Sequence, residues 1–221
     1  MSGLFVEKPP QAIIFDWDNT LIDSWQVIHQ TLNATFDDFG LPSWTMEETK
    51  NKVRHSLRDS FPALFGDRWE EAGATYYKYF SEIHLKELHP LPGAGEMLEA
   101  LNRAGIFMGV VSNKKGDFLR KEASYLGWDH LFGRLIGATD AKRDKPSPDP
   151  VFLALDGSGH SPGSGVWFAG DAGIDLECAV NSGCVPVLIR EKAPEKAEFD
   201  DFPPSLHFES CQELCIRALR L

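Results

Sequence analysis

Ala12-Ile13-Ile14-Phe15-Asp16-Trp17-Asp18-Asn19-Thr20-Leu21 sets the frame for the whole chain. Its first four residues are a short, unbroken apolar run. That pattern predicts a strand buried on both faces, as in a parallel sheet. The run ends on two carboxylates with one residue between them. Side chains at the carboxyl end of a parallel strand open into the crevice where ligands bind. Two acids that close repel each other, and unless a cation offsets them one takes a proton. Such a pair suits a metal ion together with a nucleophile and a general acid.

The next stretch has a different period. Asp23 is expected as a helix N-cap, with Gln26 at the capping-box position. Trp25, Ile28, Leu32, Thr35/Phe36 and Phe39 then recur at helical spacing until Gly40 and Pro42 stop them. Residues 47–59 are polar. Trp69, Ala72, Tyr76, Tyr79/Phe80 and Ile83 mark a second amphipathic helix. No strand is expected between residues 23 and 87, so this segment reads as a helical insert that leaves the sheet after its first strand. Residues 88–93, rich in proline and closing on Gly93, form the return hinge.

Beyond the hinge, helix and strand alternate. Ala94, Met97, Leu98 and Leu101 mark a helix. Residues 106–111 are a buried strand closing on Ser112-Asn113. A helix over Phe118, Leu119 and Leu126 follows, with Gly127 as its C′ residue, and residues 135–137 are a short strand. Ser147 is expected to cap a helix with Pro148 at its first position. Residues 166–169 are another buried strand, ending at Gly170-Asp171, and a helix runs from Gly173 to near Gly183. Residues 185–189 are expected as the last strand. Pro186 cannot donate to a ladder, which favours an edge position for it. Residues 211–219 close the chain as a helix. The alternation predicts an α/β fold with a doubly wound parallel sheet.

Composition bounds the function. The chain has 221 residues, 43% of them hydrophobic and 25% charged, which is ordinary for a soluble globular protein. Its formal net charge of -11 argues against nucleic acid as a partner, since phosphate backbones require a basic surface. A small anionic substrate stays compatible, because a metal and a few cations invert the local field. No secretory signal pattern and no membrane-spanning apolar run is present, so a cytoplasmic location without membrane contact is expected. Cys178, Cys184, Cys211 and Cys215 show neither Cys-x-x-Cys nor zinc spacing, and read as reduced thiols used in packing. Oligomeric state leaves no mark on the sequence.

Three further groups fall at strand ends or in the loops after them. Ser112 and Asn113 offer a hydroxyl and an amide close to a helix start, which makes an anion site. Lys145 lies in a proline-fixed loop, Asp144-Lys145-Pro146-Ser147-Pro148. Asp171 and Asp175 straddle the start of a helix. Each has a plain alternative: Ser112 as a helix cap, Lys145 as a solvated charge, Asp175 as a first-turn acid favoured by the helix dipole. Together, acids for a hard cation, a cation for phosphate oxygens and a hydroxyl at a helix start are the parts phosphoryl transfer requires.

These motifs, in this order, resemble those of the haloacid dehalogenase (HAD) superfamily. Asp16-Trp17-Asp18-Asn19-Thr20 looks like the first, Val111-Ser112-Asn113 the second, Lys145-Pro146 the third, and Gly170-Asp171 through Asp175 the fourth. Within the family the chain is most similar to phosphoglycolate phosphatase-like enzymes. Trp17 stands where an aliphatic residue is common. Asn19 stands where glycine is common, and Asn tolerates the left-handed backbone better than most residues.

The resemblance implies a Rossmann-like catalytic core (residues 1–22 and 88–221) with a helical cap (residues 23–87). It implies that Asp16 attacks phosphorus and that Asp18 protonates the leaving group and then activates water. Asp16, the Asp18 backbone, Asp171 and Asp175 would hold or flank Mg2+, and Ser112, Asn113 and Lys145 would bind the phosphoryl group. The substrate would be a small phosphorylated metabolite, phosphoglycolate-like or a sugar phosphate. Arg54, His55 and Arg58 are the cap residues expected to meet a second anionic group. A β-phosphoglucomutase-like phosphotransferase would use the same acids. A signalling receiver domain is disfavoured, because its phospho-accepting acid follows a later strand and it has no long helical insert.

Overall fold

The structure, a computed structural model, describes residues 8–53 and 55–220. The apolar run forms strand β1 (Ala12–Phe15), buried throughout, and β2 (Ile22–Asp23) follows the acidic loop. Four helices come next: α1 (Trp25–Asp38), α2 (Met46–Lys52), α3 (Leu57–Phe65) and α4 (Trp69–Ile83). Strand β3 (His89–Pro90) pairs with β2 as a two-stranded ribbon. Then follow α5 (Ala94–Arg103), β4 (Phe107–Lys115), α6 (Gly116–Tyr125) and β5 (Arg134–Ala138). The chain continues through α7 (Asp149–Leu155), β6 (Val166–Gly170), α8 (Gly173–Ser182), β7 (Val185–Ile189), β8 (Leu206–Phe208) and α9 (Cys211–Arg220). It divides into two compact units, Met1–Ile22 with Pro90–Leu221, and Asp23–His89. The return boundary thus falls at Pro90 rather than at Leu88.

The first unit holds a six-stranded sheet in the order β5-β4-β1-β6-β7-β8, every neighbouring pair parallel. This is the doubly wound α/β fold expected from the sequence. From β1 the strands step outward to β4 and β5, then return to β6 on the other side of β1. Right-handed crossovers therefore put α5 and α6 on one face and α7 and α8 on the other. The reversal at β1 opens a crevice at the carboxyl ends of β1, β4 and β6. Ala12, Ile14, Val111, Val166 and Phe168 share one core cluster with Val151 and Ala154 of α7 and Cys178 and Ala179 of α8. Ile13 and Phe15 alternate to the opposite face and are equally buried. Each such side chain contributes about 1.5–3 kcal/mol from burial, which holds the strand that carries the acids.

Three expectations change here. Pro186 is not on an edge: β7 lies between β6 and β8. Its carbonyl accepts from Ser205 N at 2.8 Å on the β8 side, the side to which its missing N–H would point. The β8 ladder begins one residue later, at Val187↔Leu206, so no ladder bond is lost. The strand expected over residues 106–111 runs on to Lys115 through a bulge. Val111 pairs with Ile136 and Lys115 with Ala138, so four steps along β4 oppose two along β5. Helix α7 starts at Asp149, and Ser147 Oγ accepts from Asp149 N at 3.3 Å.

The second unit is built of helices apart from its ends. Ile28, Leu32 and Phe36, one turn apart on α1, form a core with Phe61 and Ala72. Asp23 does not cap α1, because it is held in β2; the N-cap is Ser24, without a side-chain cap bond. The polar segment after Glu47 is itself helical. Thr45 and Glu48 form a capping box for α2. Asn33 closes the α1–α2 connection by bonding both the N–H (2.8 Å) and the carbonyl (2.9 Å) of Trp44.

The bulge depends on a close approach. A Cβ on Gly137 of β5 would lie 2.4 Å from Gly116 Cα and 2.6 Å from Lys114 O, both main-chain atoms. Gly137→Ala is therefore expected to destabilise the protein by about 1–3 kcal/mol, the usual range for overpacking. The urea midpoint measures this, and an unchanged midpoint would show that the start of α6 gives way freely.

Candidate active site

The acidic loop is shaped by its own main chain. Leu21 and Ile22 N–H groups both donate to Trp17 O (3.0 and 3.1 Å), and Asn19 N donates to Ile22 O at 2.6 Å. Asn19 has φ 63, the left-handed conformation that glycine or asparagine supplies most readily. The tight turn leaves Asp16 at the end of β1, almost fully buried, with Thr20 Oγ1 3.5 Å from both Asp16 Oδ2 and Asp171 Oδ1.

Lys145 enters the same crevice from the loop before α7. Its ammonium donates to Asp16 Oδ1 at 2.6 Å and to Asp175 Oδ1 at 2.7 Å. The second oxygen of Asp175 accepts from Ala172 N at 3.1 Å, which ties it to the first turn of α8. The loop itself is held from two sides. Asn113 Oδ1 accepts from Lys145 N (3.1 Å) and Asn113 Nδ2 donates to Lys145 O (3.3 Å). From α8, Asn181 Nδ2 donates to Pro146 O (2.9 Å) and the Cys178 thiol to Ser147 O (3.3 Å).

Asn113, expected to face an anion, is thus a clamp on the lysine loop. Ser112 is buried at the bulge and its Oγ accepts from Lys114 N at 3.1 Å; it does not cap a helix, since α6 begins at Gly116. All four cysteines are free.

Carboxylate oxygens of Asp16, Asp171 and Asp175 lie within 4.8 Å of one another. Burial above all, with Asp175 and Asp18 adding to it and Lys145 opposing it, pushes the Asp16 carboxyl up to about 7. Burial, then Asp175 and Asp16, raise Asp171 well above the ordinary carboxylate range. For Lys145, burial opposes the charge, but Asp16 and Asp175 outweigh it and push the ammonium above its usual value. The three crowded carboxylates are a donor set that fits a hard divalent ion such as Mg2+, which takes oxygens and keeps several waters.

A second cluster was not foreseen from the sequence. Lys114, in the β4 bulge, meets Asp18 Oδ1 at 2.7 Å and Glu122 Oε2 at 2.6 Å. Glu122, on α6, also accepts from Trp17 Nε1 at 2.8 Å. Burial opposes the Lys114 charge, yet Asp18 and Glu122 hold its pKa above the ordinary value. The position of Lys114 directly after Ser112-Asn113 is the signal that could have found it. Of the expected cap residues, Arg54 lies outside the described residues. His55 is exposed and Arg58 half-buried in the first turn of α3, both in the second unit.

The charge arrangement predicts opposite effects for two neighbouring acids. Asp175→Asn removes one of two carboxylates from a buried ammonium and is expected to destabilise by about 3–5 kcal/mol. Asp171→Asn removes a crowded acid whose charge the fold disfavours, and is expected to leave the metal-free protein as stable or more so. Denaturant titrations without divalent ions compare the two, and equal losses would refute this reading of the charges.

Residues 13–189 match the haloacid dehalogenase-like hydrolase family. A phosphoglycolate phosphatase of Aquifex aeolicus is 29% identical over 80% of this chain and 84% of its own. A pyrophosphatase, PpaX, of Halalkalibacterium halodurans is 27% identical over 80% of this chain and 82% of its own. In fold, the chain superposes on a haloacid dehalogenase-like hydrolase from Bacteroides fragilis with a TM-score of 0.84, covering 93% of this chain and 99% of the other at 24% identity. With the acids of β1, the lysine loop and the acids after β6 gathered at one crevice, the chain belongs to the haloacid dehalogenase-like hydrolase family.

Proposed function

We propose that this protein is a phosphatase that hydrolyses a small phosphate monoester, phosphoglycolate-like or a sugar phosphate, through an aspartyl phosphate on Asp16. The observation that carries this reading is the Lys145 ammonium bonded to Asp16 and Asp175 beside a third carboxylate, at the carboxyl ends of β1 and β6. An acid held this way can act as a nucleophile while its cation neutralises the phosphoryl oxygens. Relatives named for phosphoglycolate and for pyrophosphate support a small phosphorylated substrate.

In the first step an Asp16 oxygen forms a bond to phosphorus and the ester P–O bond breaks. Asp18 gives its proton to the leaving oxygen. In the second step water attacks phosphorus, Asp18 takes the water's proton, and the bond from Asp16 to phosphorus breaks to release phosphate. Ser112 and Lys145 hold the phosphoryl oxygens throughout, with Asn113 fixing Lys145. Asp16, Asp171 and the Asp18 carbonyl would hold Mg2+, with Asp175 orienting Lys145. The ion would supply charge neutralisation at the phosphoryl group.

A screen of phosphate monoesters and pyrophosphate with Mg2+, scored by released phosphate, tests the proposal. Asp16→Asn is expected to abolish turnover of every active ester, and full activity in that variant would sink the covalent mechanism.

The proton on Asp16 sets a pH dependence. Its folded pKa, about 7, lies above the ordinary 3.8, so without metal its contribution to stability falls as pH rises through that window. A proton there also competes with the cation. Apparent Mg2+ affinity is expected to climb as pH passes through about 7 and then level off. Calorimetric titrations at several pH values read it out, and a flat profile would show that Asp16 is not a ligand.

A further inference from the structure

Trp17, Glu122, Lys114 and Asp18 form a chain of hydrogen bonds that starts and ends on adjacent residues of the acidic loop. Its inner members are secluded: the side chains of Lys114 and Glu122 are 6% and 1% exposed. Trp17 is fully buried, edge-on to Trp128 (6.0 Å) and Phe132 (6.3 Å). Glu122 shares the buried face of α6 with Leu119 and Ala123. Replacing a buried ion pair by apolar groups is often neutral or stabilising, so stability alone is a weak reason for this one. What the chain of bonds does is fix one oxygen of Asp18.

We propose that Lys114 is a positioning residue for Asp18, held in place by Glu122 and through it by Trp17. This deepens the phosphatase reading above and rests on it. A general acid must lie within about 2.6–3.2 Å of the leaving oxygen, and a misplacement of about 1 Å can lower a rate about a hundredfold. An aspartate on a loop has two side-chain torsions free to wander. The Lys114 bond to Asp18 Oδ1 removes that freedom. Lys114 itself rests on two supports: the β4 bulge sets its main chain, and Glu122 sets its ammonium.

The test is leaving-group dependence in single turnovers with Mg2+, following release of the alcohol. Phosphoglycolate has a poor leaving group that needs a proton, and para-nitrophenyl phosphate has a good one that does not. Lys114→Met alone strands Glu122 as a buried charge, so the working variant is Lys114→Met/Glu122→Gln, whose glutamine still accepts from Trp17. Its release step is expected to slow about 10–100-fold with phosphoglycolate, part of the hundred- to ten-thousand-fold that acid catalysis supplies, and by less than about threefold with the aryl ester. In an Asp18→Asn background the same change should alter the ratio of the two rates by less than about twofold, because the residue being positioned is gone.

Equal slowing of both esters overturns the proposal. So does an undiminished effect in the Asp18→Asn background, or a loss of Mg2+ affinity that accounts for the whole change. A wild-type protein that hydrolyses none of the phosphate esters in the screen above removes the phosphatase reading and this role with it. Active wild type with equal slowing removes this role alone.

Discussion

A buried ammonium between buried carboxylates persists only when every member is held in place, and Lys145 meets Asp16 and Asp175 at 2.6 and 2.7 Å. Most of the first unit's loop structure serves that constraint. Asn113 grips the lysine's main chain from β4, and Asn181 and Cys178 brace the next two residues from α8. Asp175 is anchored to Ala172 at the start of its own helix. Three acids at one set of strand ends would otherwise repel each other apart. With a cation fixed among them, the crevice holds the charge that phosphoryl chemistry requires.

The bulge in β4 is the second device. A regular strand would alternate Ser112, Asn113 and Lys114 between the two faces of the sheet. Because four steps here oppose two on β5, these three consecutive residues serve separate tasks around one crevice. Ser112 stays buried at its floor, Asn113 turns to the lysine loop, and Lys114 reaches Asp18. Two glycines, Gly116 and Gly137, allow the backbones to come close enough for this.

The parts legible in the sequence were those whose partners lie nearby along the chain or repeat with a period. The apolar run before Asp16, the helix–strand alternation and the left-handed Asn19 belong there. So does the capping box of Thr45 and Glu48, which spacing alone could have revealed. Lys114 and Glu122 were hidden for a physical reason. Glu122 follows Arg120 and Lys121 and looks solvated, and its tie to Trp17 spans 105 residues. Pro186 misled because a proline's effect depends on which side its absent N–H faces, and that is set by a partner strand of three residues, β8. Local pattern reports that a residue is polar; only the fold tells whether its partner is water or another side chain.

The placement of β1 also bears on how the molecule comes into being. Ala12 pairs with Phe107 on one side and with Val166 on the other. During synthesis the central strand emerges before both neighbours, which begin 95 and 154 residues later. The insert between them closes through contacts along a short length of chain, such as Asn33 with Trp44, and forms on a faster schedule. Until β4 arrives, the nascent chain carries an unpaired, wholly apolar strand. In that interval the strand's apolar surface and unpaired edges are exposed, the condition under which nascent chains aggregate.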